Sequence, residues 1–115
     1  MKCIQCRIRV YSGRWGKGTH GFRPSWGNRL YAAVQEAVAG KGELWGLAFT
    51  LTEPNSVGLA VTIGIWVGWR PGDPNLLVGR LHEQMVARLR PESERQIEVE
   101  VMDSRDIKED SLLAI

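Results

Sequence analysis

The densest run of chemically capable side chains in this 115-residue sequence is Arg14-Trp15-Gly16-Lys17-Gly18-Thr19-His20-Gly21-Phe22-Arg23-Pro24-Ser25-Trp26. Cations hold phosphate, aromatic rings offer stacking surfaces to bases, and glycine lets backbone amides approach an anion. Arg14, Trp15, Lys17, His20, Arg23, Trp26 and, just beyond, Arg29 are therefore the candidate ligand-binding residues, for nucleic acid or another phosphate-bearing ligand. The run precedes a predicted helix, whose positive end favours an anionic group. No Gly-Lys-Ser/Thr opens that helix, so the segment is not a P-loop. The structural alternative is a loop whose tryptophan and phenylalanine side chains clamp it onto the core.

The unperturbed pKa of a histidine side chain lies close to neutral, which suits His20 to act as a general acid or base, but the loop contains no Asp, Glu or Cys to orient it. It is catalytic only under an alternative reading, a ribonuclease-like enzyme that processes nucleic acid. Cys3 and Cys6 stand three apart on a predicted strand, so they face opposite ways, and their spacing to His20 and His82 matches no zinc motif. No metal and no cofactor is expected. His82 reads as a boundary residue of the second helix. No triad, carboxylate pair or nucleotide fingerprint appears, and the leading reading is a small non-enzymatic binding or assembly module.

A composition of 43% hydrophobic and 24% charged residues describes one ordinary globular domain. The net charge of +2 conceals an asymmetry. Residues 1–35 carry seven bases and no acid, whereas residues 91–115 carry three bases and eight acids. Either the two ends neutralise each other or a basic surface is left for an anionic partner. Lys2, Arg7 and Arg9 interrupt any signal-peptide core, which makes the cytoplasm the expected compartment. The longest apolar stretch, Val57 to Trp69, is too short for a membrane helix.

The elements that must position these residues follow from periodicity. Ile4, Cys6, Ile8 and Val10 alternate with Gln5, Arg7 and Arg9, a strand with one wet face. Residues 12–27, with five glycines, predict a long loop reaching the helix cap at Asn28. Leu30, Ala33, Val34, Ala37 and Val38 predict a helix over 29–39, capped by Asn28 and ended at Gly40. Segments 43–52 and 57–69 form a hairpin around Glu53-Pro54-Asn55-Ser56. Asp73-Pro74 opens a second helix over 74–90, stopped by Pro91. Ile97, Val99 and Val101 alternate with Glu98 and Glu100 as a last strand. The domain is expected to span 1–103 and an acidic tail 104–115.

The order β-α-β-β-α-β is that of ferredoxin-like α+β folds: an antiparallel four-stranded sheet in the order 4-1-3-2 with both helices on one face. It sets Arg7 and Arg9 opposite Glu98 and Glu100. Trp45, Leu47, Phe49 and Leu51 are expected to point at the helices. The other face collects Gly46, Ala48, Gly58, Thr62, Gly64 and Trp66, small residues that let another chain approach, and these are the candidate interface of a homo-oligomer. The RNA-recognition domain shares this topology and stacks bases on two middle strands. Its basic-Gly-aromatic run is absent here, so the resemblance ends at topology.

The loop reading has a direct measurement. Affinity for single-stranded nucleic acid should fall with salt at a log-log slope of roughly −0.7 per phosphate contact. Arg14→Ala with Lys17→Ala should flatten that slope, and His20→Ala should leave affinity unchanged. Absence of binding to RNA and DNA at about 50 mM salt, where the electrostatic contribution is still strong, returns the loop to a structural role.

Overall fold

Alternation builds the first strand, β1 (Lys2–Tyr11), in which Ile4, Cys6, Ile8 and Val10 are buried and the residues between them are half-buried. The computed structural model describes residues 1–11, 25–51, 59–91 and 93–107. The remaining elements are helix α1 (Ser25–Val38), strands β2 (Gly42–Leu51) and β3 (Leu59–Trp69), helix α2 (Pro74–Leu89), a short 3-10 helix (Glu94–Gln96) and strand β4 (Ile97–Asp106). All strand pairs are antiparallel, and the sheet order β2-β3-β1-β4 is the expected 4-1-3-2 counted from the other edge.

The register of β1 on β3 decides where the core lies. Ile4 stands opposite Val67, Cys6 opposite Ile65, Ile8 opposite Ile63 and Val10 opposite Val61, and all eight are buried. Side chains directly opposite in a sheet share a face. This face forms one cluster with Leu30, Ala33, Val34, Ala37 and Val38 of α1 and Leu77, Leu81, Met85 and Leu89 of α2. Both helices therefore cover the same side, and among the described residues the other side of the sheet carries no helix. Among the described residues the core holds no polar or charged side chain, and no helix is long and apolar enough to cross a membrane.

Two joints fix the helices. Asp73 accepts the Asn75 amide at 2.9 Å and Pro74 occupies the first turn of α2, as the sequence predicts. The fully buried Trp69 donates its Nε1 to the Asp73 carbonyl at 2.9 Å, tying the end of β3 to the start of that helix. Arg80 of α2 donates Nε to the Ala37 carbonyl at 2.7 Å and Nη2 to the Glu36 carbonyl at 3.4 Å. A cation thereby sits at the negative end of α1, where it also satisfies the Ala37 carbonyl.

Three expectations are corrected. Helix α1 begins at Ser25 rather than 29, so Asn28 lies inside it and is not its cap, and residues 25–28 belong to the helix rather than the loop. Gly27 is a poor helix former by about 1 kcal/mol, but the apolar face that follows it overrides that preference. Strand β4 runs on to Asp106, through residues assigned to the tail, and the Ile107 amide continues the pairing with a 2.9 Å bond to the Met1 carbonyl. The third correction, at Trp45, shapes the open face and is described below. The turn 53–56 and the tail from 108 onward lie outside the described residues.

The two cysteines test the assignment of faces. Cys6 lies in the core, and burial pushes its thiol up from 9.0 to about 12, whereas Cys3 is half-buried on the other face. A thiol reagent should modify Cys3 alone in the native protein and reach Cys6 only in denaturant. Equal reaction of both would contradict the register. An unfolded Cys6 ionises near 9.0 and the folded one only near 12. The stability contributed by its neutral form is therefore complete below about pH 9 and is lost as pH rises through that window.

Candidate functional site

The open face collects the odd-numbered residues of β1 and the even-numbered residues of β3. Gly64 and Trp66 stand opposite Arg7 and Gln5, and Thr62 stands opposite Arg9. Strand β2 adds Ala48 opposite Gly64 and Thr50 opposite Thr62. Gly46, Ala48, Thr62, Gly64 and Trp66 are thus brought onto one surface, as the alternation implies. Gly58 lies outside the described residues.

Trp45 departs from the expected parity. Leu44 pairs with Val67 and Gly46 with Trp66, so Trp45 is an extra residue in a bulge. A bulge adds one residue to one strand and re-aims its side chain. Leu44 takes the core-facing place, packed against the core, and Trp45 turns to the open face instead of the helices. There its ring covers Gly68, where an added Cβ would lie 2.4 Å from the Trp45 Cζ2. The ring of Trp66 similarly occupies the space beside Gly46 and Gly64, with added Cβ atoms falling 3.1 and 3.7 Å from it. Glycine is required at 68 by this close approach, so part of the small-residue pattern serves two tryptophan rings rather than a bare surface. Each tryptophan remains 37% exposed.

The other half of the open face is ionic. Arg7 Nε donates to Glu100 Oε1 at 2.7 Å, and Arg7 Nη2 donates to the same oxygen. Arg9 pairs with Glu100 at 3.4 Å and with Glu98 at 3.8 Å, and the Tyr11 hydroxyl donates to Glu98 at 3.0 Å. The hydrogen bonds from Arg7 outweigh the opposing effect of desolvation and, with the charges of Arg7 and Arg9, hold the Glu100 carboxyl below its ordinary value. Trp45 Nε1 donates to Glu43 at 3.4 Å, and Asp103 pairs with Arg105 at 2.7 Å. The arginines of β1 are therefore engaged by β4 rather than presented beside the tryptophans.

No protein-family model, curated protein or solved structure matches this chain.

The predicted ligand-binding residues are divided. Arg14, Trp15, Lys17, His20 and Arg23 lie outside the described residues. Trp26 falls in the first turn of α1, and Arg29 is exposed one turn later. His82 sits apart on α2, its Nε2 3.1 Å from the Glu94 carbonyl, which can only accept and so fixes the proton on that nitrogen. It lines an open cleft of about 610 Å³ with Val78, Val86, Glu94 and Val99, which the sequence reading did not anticipate. Its signal was the stripe Val78, His82, Val86, one residue round the helix from the buried stripe Leu77, Leu81, Met85. Among the described residues no three His, Cys, Asp or Glu side chains gather as metal ligands.

Gly68→Ala tests the seat of Trp45. Its new methyl group must displace the ring, at a cost of about 1 to 3 kcal/mol for overpacking, with the fold retained. A crystal structure or nuclear Overhauser contacts showing Trp45 unmoved in this variant would contradict the bulge.

Proposed function

We propose that this chain is a non-enzymatic assembly module of ferredoxin-like design that associates with a second copy of itself through the open face of its sheet. The observation that supports this reading is the pair of tryptophan rings seated on glycines of β2 and β3. Aromatic side chains already held in place by rigid strands lose little freedom on binding, and such anchors contribute most of an interface's affinity. Around them lie Ala48, Thr50 and Thr62, small enough to admit the rings of a facing copy. Arg7, opposite the Gly64 that the Trp66 ring overlies, is engaged by Glu100, and Glu43 lies beside Trp45, so the charges near the rings do not favour a phosphate backbone there.

A second reading concerns the loop. Because Glu98 and Glu100 engage Arg7 and Arg9, the remaining positive charge of the first 35 residues is concentrated in the segment from Arg14 to Arg29. That distribution favours an anionic ligand, such as nucleic acid, at the loop rather than on the sheet. The enzymatic alternative through His20 requires cleavage that His20→Ala abolishes without loss of binding.

Light scattering at micromolar concentration should report a dimer or larger assembly. Gly64→Arg should lower that mass, because a long charged side chain beside Trp66 cannot be buried in a close contact without a partner. A strictly monomeric wild-type protein would end this reading.

A further inference from the structure

The two edges of the sheet are built differently. Strand β4 carries Glu98, Glu100, Asp103, Arg105 and Asp106 and breaks register between the partners of Gln5 and Cys6. Charge and a bulge are the usual means by which an exposed edge is kept from pairing with another chain. Strand β2 has a single charge, Glu43 at its start, which Arg70 approaches at 3.5 Å. From Leu44 to Leu51 it reads Leu-Trp-Gly-Leu-Ala-Phe-Thr-Leu, with neither a charge nor a proline.

Nor, among the described residues, is β2 covered on either side. Phe49 stands opposite the buried Ile63, on the helix side, yet is 41% exposed. Leu44 and Leu47 on that side are only partly buried, and Trp45 is bare on the other. An edge with open backbone groups and apolar side chains on both faces is a template for an added strand.

We infer that β2 pairs antiparallel with β2 of a second copy, joining the two four-stranded sheets into one of eight strands. The composition of the strand argues for a second copy: it offers no charge for an acidic or basic segment to grip, and it matches itself. A register centred on Ala48 sets Leu47 of one copy against Phe49 of the other on the helix side, twice by symmetry. On the open side it sets Gly46 against Thr50, both small enough to pass. The two-fold axis then runs perpendicular to the sheet, so both open faces turn the same way. This edge is separate from the open-face contact proposed above and stands or falls independently of it.

Phe49→Lys places a charge at this junction while leaving Trp45, Trp66 and the glycines of the open face untouched. Its assembly mass in light scattering should be half that of the wild type, with unchanged circular dichroism. Hydrogen exchange reads the edge directly. In the concentrated wild-type protein every amide from Gly46 to Leu51 should be protected, and on dilution alternate amides should become fast. They should be fast at all concentrations in Phe49→Lys. In Gly64→Arg, which removes the open-face contact, the β2 protection should survive. Alternate fast amides in concentrated wild-type protein would overturn the inference, as would a folded Phe49→Lys with the wild-type mass. If that variant does not fold, the exchange pattern of the wild type decides.

Discussion

The ladder between β1 and β3 is the constraint on which the rest of the molecule depends. Side chains alternate along a strand with a period of two, so a slip of one residue would turn Ile4, Cys6, Ile8 and Val10 outward and bring Arg7 and Arg9 into the core. Burying those unpaired cations is prohibitively costly. Pairing with Val67, Ile65, Ile63 and Val61 therefore admits one register. That register gives both helices the same side of the sheet, leaves the opposite side open among the described residues, and sends Cys3 and Cys6 to different environments.

Charge follows from the same parity. With Arg7 and Arg9 fixed on the open side, β4 can lie beside β1 with Glu100 and Glu98 opposite them. Exposed pairs of this kind each contribute only about 0.2 to 1 kcal/mol, and their larger effect is on recognition. They separate the open face into an ionic half, already neutralised, and a half of tryptophan, glycine, alanine and threonine. A partner that fits the second half gains little from long-range electrostatic attraction and must be selected by shape.

What could be read in the sequence was whatever depends on period or on a local cap. The alternation of β1, the Asp73-Pro74 start of α2 and the opposition of Arg7 and Arg9 to Glu100 and Glu98 all belong to this class. So do the places of Gly46, Ala48, Thr62, Gly64 and Trp66 on one surface. Trp45 could not be read this way, because a bulge inserts a residue without a period of its own and reverses parity on one side of it. Its trace was indirect: Gly68, opposite Cys3, has no side chain because a ring lies across it. Gly27 misled in the opposite sense, since tertiary burial of the face beginning at Leu30 outweighed a local preference against helix. The cleft beside His82 joins α2 to β4 across the fold, and no local pattern reports such a meeting.

The hold of Arg80 on the last turn of α1 bears on the order in which the molecule can be completed. The Ala37 carbonyl is satisfied by a side chain more than forty positions further along the chain, and the Glu36 carbonyl shares that side chain with the Ala39 amide. Until α2 has docked, the junction from α1 into β2 lacks the Arg80 donor to the Ala37 carbonyl and keeps an uncompensated dipole end. The N-terminal half of the chain is therefore not a finished subdomain waiting for its second half. Its helix end, like strand β1 flanked by β3 and β4, is completed only by residues further along the chain.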